Sequence, residues 1–207
     1  MSRKEKERMQ KKDSIIMAAE KVFHDKGFED ATMDDIATLA EYSKGALYFY
    51  FTGKNDLCLA IVNKNLAQIK ELFLNVLNSN YNGLETLKNL VLAYIQFQKE
   101  HPYYSKSITN FRSYHLNCEV DNDYMMQNTT INNEINEVIK KIIIKGLKDK
   151  SIRENIEPEK TANSIWGNLT GILPGFVLQD NSETKYSTSE LFDYIFDLII
   201  KGMANEN

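Results

Sequence analysis

Three prolines and nine glycines are all that interrupt 207 residues. That is about half the usual share of these two residues. A chain so poor in breakers has few tight turns and must be built from long uninterrupted elements. Its apolar residues recur at i, i+3, i+4 and i+7, one face of a helix, and strand-like alternation never persists. The expectation is an all-α protein of about nine helices. Collagen-like and Pro/Gly-rich disordered chains are excluded on composition. The length suits one domain or two small ones, with room for a sizeable core.

Composition narrows the class further. Cys58 and Cys118 cannot make a disulfide framework, and no C-x-x-C pair is present for zinc. His24, His101 and His115 lack i, i+4 ligand spacing, so no metal and no cofactor is expected. The N-terminus is charged from residue 3 onward with no apolar stretch behind it, unlike a secretory signal. No run of about 18 apolar residues occurs, so no membrane span is expected and the cytoplasm is the expected compartment. The net charge of −4 argues against a uniformly basic nucleic-acid binder. It leaves room for a local basic patch.

Residues 1–12 hold Arg3, Lys4, Lys6, Arg8, Lys11 and Lys12 against Glu5 and Glu7, and read as a flexible basic arm. A first helix is expected over 13–26, burying Ile15, Ile16, Ala19, Val22 and Phe23. Gly27 suits a left-handed stop, with Phe28 folding back on the last turn. A second, two-turn helix starts at Thr32, where Thr32 and Asp35 resemble a capping box; Ile36, Ala37, Leu39 and Ala40 should face inward. Ser43 is a good N-cap for a third helix over 44–50. Longer helices follow over about 55–78, 84–100, 104–114, 122–150 and 158–173, with Pro174 ending or kinking the last of these. The ninth opens at the capping box Ser187-Thr188-Ser189-Glu190 and runs to about Met203.

Two short helices joined by a tight turn suggest a helix-turn-helix. The run Ser43-Lys44-Gly45-Ala46-Leu47-Tyr48-Phe49-Tyr50-Phe51, then Thr52-Gly53-Lys54-Asn55-Asp56-Leu57, closely resembles the helix-turn-helix of the TetR family of transcriptional regulators. The resemblance covers about residues 13–57; beyond it only length and helicity agree. Two departures stand out: Glu41 occupies a turn position where the family often has Gly, and Tyr50 replaces a frequent His.

A recognition helix enters the major groove with its N-terminal end toward the base edges. The candidate DNA-binding residues are therefore Thr32, Tyr42, Ser43, Lys44, Gly45, Ala46, Tyr48, Phe49, Tyr50 and Lys54. Gly45 and Ala46 lack bulk, so backbone can approach DNA. Lys44 can meet a phosphate or a guanine, and Lys54 can clamp the opposite backbone. Ser43 and Thr32 can donate to phosphates, and Tyr48 and Tyr50 offer hydroxyls or ring faces. Leu47 and Phe51 should point inward. The first 60 residues carry 10 basic and 11 acidic side chains, so attraction to DNA must come from the arm, Lys44 and Lys54, and be salt-sensitive.

The expected organisation is a basic arm (1–12), a DNA-binding domain (13–54), and a ligand-binding and dimerisation domain (55–207). Candidate pocket residues, from helical phase, are Phe73, Tyr94, Phe97, Phe111, Tyr114, Asn163 and Trp166, with Gln96 or Asn168 orienting a polar group. An aromatic lining suits an apolar or aromatic effector. Met125 and Met126 read as core filler. Gly167, Gly171 and Gly175 repeat every four residues, and the last helix is apolar nearly all round, implying burial on two sides. Gly167, Gly171, Leu191, Ile195, Leu198 and Ile199 are the candidate dimer contacts; the resemblance implies a four-helix interface from the last two helices of each subunit. The resemblance also implies a homodimeric repressor on a palindromic operator of double-stranded DNA, released by a small molecule. A helical enzyme is disfavoured, because no nucleophile–base pair or phosphate-cradling loop is present. A helical adaptor acting only through protein partners is the alternative.

Overall fold

The computed structural model describes residues 2–101, 103–104, 107–108, 123–178 and 188–205, without the side chains of 172–178, 188–189 and 192. The described residues form eight helices: α1 (Arg3–Lys26), α2 (Met33–Leu39), α3 (Lys44–Tyr50), α4 (Lys54–Leu77), α5 (Gly83–Glu100), α6 (Asp123–Lys148), α7 (Pro158–Leu178) and α8 (Thr188–Met203). Apart from one isolated antiparallel bridge, Ile152 with Ala204, no β pairing occurs among them. The all-α expectation holds. Most of the helix expected over 104–114, and the capping box beginning at Ser187, lie outside the described residues. No described helix is long and apolar enough to cross a membrane.

Two boundaries differ from the sequence reading. Residues 3–12, expected as a flexible arm, are the opening turns of α1. Ser2 caps them in a reciprocal box with Glu5, and Arg3 pairs with Glu7 one turn on at 3.0 Å. Local capping and i, i+4 pairing are enough to carry a helix that already has a buried stripe further along. At the other end, α7 runs through Pro174 to Leu178. A proline forfeits one intrahelical hydrogen bond, but its fixed φ is itself helical.

The chain divides into two compact units. The first comprises Met1–Asn65 and Ser107–Asn128. Its core is the α1 stripe of Ile15, Ile16, Ala19, Val22 and Phe23 packed with Ile36, Ala37, Leu47, Phe51, Leu57 and Ile61. Gly27 ends α1 with φ 82° and ψ 162°, a positive-φ conformation open essentially to glycine, though extended in ψ rather than left-handed helical. Phe28 then returns onto Phe23, ring centroids 5.1 Å apart. Leu39 is the exception to the expected phase: it is exposed, and Met33 is buried in its place. Met126, read as core filler, is exposed as well.

Part of this unit's packing comes from far along the chain. Asn63 is buried and donates to the Tyr124 carbonyl at 2.7 Å. Asn128 donates to the Asn63 side-chain oxygen at 2.8 Å. Tyr124 stacks on Phe51 at 5.7 Å, and the Lys12 ammonium lies 5.2 Å from the Tyr124 ring. Burial pushes the Tyr124 phenol up to about 12, helped by the nearby Asp56 carboxylate. Cys58 is buried, its thiol donates to the Ser107 carbonyl, and burial raises it to about 12. It packs as a small apolar group.

The second unit comprises Leu66–Lys106 and Thr129–Asn207. Ile131, Ile135, Val138, Ile139, Ile142 and Ile143 form the buried stripe of α6. Phe73, Tyr94 and Trp166 pack edge-on with centroids 5.8–6.3 Å apart. The Trp166 indole donates to Asn132 at 2.8 Å. Helices α5 and α6 meet at Gly83 and Gly146, where a Cβ on Gly83 would strike the Gly146 backbone.

Candidate nucleic-acid interface

Helices α2 and α3 are seven residues each, too short to persist alone. Their caps and the core beneath them define their geometry. The Thr32 hydroxyl accepts from the Asp35 N–H at 3.1 Å, while the Asp35 carboxylate accepts from the Thr32 N–H at 3.1 Å. The Lys26 ammonium adds a bond to Asp35 at 2.7 Å. With the Lys26 bond the largest cause and the Thr32 bonds next, the Asp35 carboxyl is held down at about 2. The capping box expected at Thr32 is present with Asp in the Glu position.

Between the helices the turn passes through Glu41 at φ 60°. This is the left-handed region, which costs a residue with a Cβ about 1 kcal/mol. The turn is closed by Tyr42 N–H to the Ala37 carbonyl at 3.0 Å. Ser43 then caps α3, accepting from Ala46 N–H at 3.2 Å.

Helix α3 sorts its side chains as its length demands. Leu47 is fully buried, and Phe51, just past the helix, is 1% exposed. Both point inward as expected. Ser43, Lys44 and Gly45 are exposed at the start. Tyr48 is 45% and Phe49 74% exposed, so two large rings stand on the outer face with no core to cover them. Thr32 is exposed too. Tyr42 and Tyr50 are different: both lie half-buried against the core, and Phe49 meets Tyr50 edge-on at 5.1 Å.

The two lysines also differ from the expectation of free cations. Lys44 reaches back ten residues to Asp34, with nitrogen–oxygen distances of 2.8 and 3.0 Å. That hydrogen bond raises the ammonium above its ordinary value. Lys54 turns inward instead. It donates to the carbonyls of Phe28 and Glu29 at 2.8 and 2.9 Å and lies 5.0 Å from the Phe28 ring. It ties the beginning of the α1–α2 loop to the start of α4, satisfying two loop carbonyls. Sequence reasoning missed both partners: pairs ten and twenty-five residues apart leave no periodic trace.

The opening turns of α1 carry six further cations. Arg3, Lys4, Lys6, Arg8 and Lys11 are all exposed. Lys12 is the one of the six that is partly covered, over Phe51 and Tyr124.

The pocket candidates separate into two groups. Phe73, Tyr94 and Trp166 form the packed ring cluster of the second unit. Phe97 stacks on His101 at 4.2 Å and, with Gln96, lines a groove of about 730 Å³ between α4 and α5 that also takes in Glu71, Leu72 and Glu100. Asn163 is exposed, and Asn168 bonds the Ser164 carbonyl of its own helix. Phe111 and Tyr114 lie outside the described residues.

Of the dimer candidates, Leu198 is 52% exposed, while Leu191, Ile195 and Ile199 are half-buried; Tyr194, not among the candidates, is 63% exposed. The opposite face of α8 is buried through Phe196, Ile200 and Met203. Gly167 is exposed with open space where a Cβ would lie; Gly171 is half-buried. No group of three or more metal-ligating side chains occurs among the described residues.

Residues 15–61 match the family model of the bacterial regulatory proteins, tetR family, which bears out the resemblance seen over 13–57. Along its whole length the chain is similar to the fatty acid metabolism regulator protein of Bacillus subtilis, 22% identical over 97% of this chain and 100% of that one. It is also similar to the HTH-type transcriptional repressor BepR of Brucella suis, 29% identical over 46% of each chain. Among solved structures, FadR from Bacillus subtilis in complex with stearoyl-CoA shares the fold. Its TM-score is 0.70 at 18% identity, over 92% of this chain and 98% of that one.

Proposed function

We propose that a chain whose residues 15–61 fit the tetR-family model acts as a ligand-responsive transcriptional regulator. It reads double-stranded DNA as a homodimer and represses from a palindromic operator. The observation that carries this reading is the α2–turn–α3 geometry: a capped seven-residue helix presents Ser43, Lys44, Gly45, Tyr48 and Phe49 outward over a core sealed by Leu47 and Phe51. An ordinary core helix has no reason to expose two adjacent aromatics. In a major groove those rings can meet thymine methyls and sugar faces, and the Ser43 hydroxyl can donate to a phosphate; the Thr32 hydroxyl, which donates to Asp35 at 2.7 Å, serves the cap instead.

Binding strength then comes from the exposed cations of α1, which being helical present their charge in fixed register. Two-fold symmetry places the two recognition helices about 34–36 Å apart, one turn of duplex. An effector releases the operator by binding better to a conformation that reads DNA poorly. A differential of about 5.5 kcal/mol would reverse a 99:1 balance. Similarity to a fatty acid metabolism regulator and to a stearoyl-CoA complex supports an apolar effector, and makes long-chain acyl-CoA the first compound to try.

The test is fluorescence anisotropy of the purified chain on duplex DNA from upstream of its own gene, against a scrambled duplex, at low and near-physiological salt. Binding that survives salt only on the upstream duplex, and is reversed by stearoyl-CoA, is the expected result. Absence of binding to either duplex at low salt would leave the protein-adaptor reading.

A further inference from the structure

The helix-turn-helix is not a basic surface. Between residues 27 and 56 the chain has six carboxylates (Glu29, Asp30, Asp34, Asp35, Glu41 and Asp56) and two ammonium groups, Lys44 and Lys54. Lys54 is committed to the carbonyls of Phe28 and Glu29. Lys44 alone can offer positive charge from the recognition helix, and both carboxylate oxygens of Asp34 lie within 3.0 Å of it.

The fold has little use for this pair. Its side chains are 59% and 64% exposed, and exposed pairs contribute next to nothing to stability. The caps of α2 and α3 use Thr32, Asp35 and Ser43 instead. What the pair does affect is the approach of a polyanion. A phosphate that takes Lys44 from Asp34 exchanges one anion for another. It also leaves the Asp34 carboxylate within about 8 Å, one Debye length, of the DNA backbone. Generic phosphate contact at this lysine therefore brings little net gain. A base step that gives Lys44 a guanine edge and gives Asp34 a cytosine amino group satisfies both partners at once.

We infer that Asp34 is a specificity-determining residue of the DNA-reading head: by holding Lys44, it keeps that ammonium from duplexes that offer only phosphates. The inference rests on the DNA-reading function proposed above. Discrimination is a difference between affinities, and weakening the wrong complex serves it as well as strengthening the right one.

The test starts from duplexes selected by the wild-type chain from a random pool. Affinities for a selected and a scrambled duplex are then measured at two salt concentrations for wild type, Asp34→Asn, Lys44→Ala and the double variant. Asp34→Asn is expected to bind the scrambled duplex about tenfold tighter, with the salt slope steeper by about one phosphate. Its affinity for the selected duplex should change by less than about threefold, and in the Lys44→Ala background the gain should shrink to the few-fold relief of carboxylate–phosphate repulsion, with no change of salt slope. Asp34→Ser gives the same comparison should Asn disturb the first turn of α2. An equal gain on both duplexes, or a gain undiminished without Lys44, would overturn the inference while leaving the DNA-reading function standing. Failure of the wild type to select any sequence would overturn that function and the role of Asp34 with it.

Discussion

Two acidic residues of the head illustrate opposite uses of one side-chain chemistry. Glu41 sits at φ 60° in the turn, where its Cβ is a burden and its charge accompanies the recognition helix. Glu41→Gly removes both. It should stabilise the fold by roughly 0.5–1 kcal/mol, less the entropy that glycine adds to the unfolded chain, read as a higher urea midpoint. Asp35, by contrast, is held by Lys26 and Thr32, and its carboxyl is lowered from 3.8 to about 2. The unfolded chain therefore binds the proton more readily than the folded one. The stabilisation is present above about pH 4 and is lost as pH falls through about 2. Asp35→Asn should flatten the acid limb of a stability–pH curve in that window, while leaving the slope at higher pH unchanged.

At the scale of elements, α3 divides into residues the fold needs and residues it does not. Leu47→Ala should cost about 2–5 kcal/mol as a fully buried leucine. Phe49→Ala should stay within about 0.5 kcal/mol of wild type in a denaturant melt, yet weaken operator binding in anisotropy. The buried set of this element was legible in the sequence because Leu47 and Phe51 are one helical turn apart. Phase was ambiguous in α2, where two turns cannot distinguish Leu39 from Met33 as the inward residue. The helical start of α1 was hidden because charge density there reads as a tail, whereas Ser2 and Glu5 supply a cap. The glycine repeat at Gly167 and Gly171 was visible in the sequence, whereas the close backbone contact of Gly83 with Gly146 was not. A glycine after Asn82 looks like an ordinary turn residue, and its crossing partner is 63 residues away. Gly83→Ala should destabilise by about 1–3 kcal/mol through overpacking, measured by thermal melt.

For the molecule as a whole, α8 bears on assembly. One face is buried by Phe196, Ile200 and Met203, while Tyr194 and Leu198 remain exposed. A dimer built on that second face should be broken by Leu198→Glu. Sedimentation velocity would show a monomer at micromolar concentration, and affinity for a two-half-site operator would fall far more than for a single half-site. The alternation of faces was readable in the sequence, since an all-apolar terminal helix needs cover on both sides. The Asn63–Tyr124–Asn128 hydrogen bonds were not, because a buried amide finds its partner through tertiary packing.

Those hydrogen bonds determine how the protein can be taken apart. The first compact unit is assembled from two stretches of chain that are more than forty residues apart in sequence, with Tyr124 and Asn128 supplied by the later one. A chimaera that grafts only residues 1–65 onto a foreign sensor would strand the Asn63 amide and uncover Phe51. A transferable head must carry the Ser107–Asn128 segment as well, so exchange of sensors by recombination at a single junction is closed to this architecture.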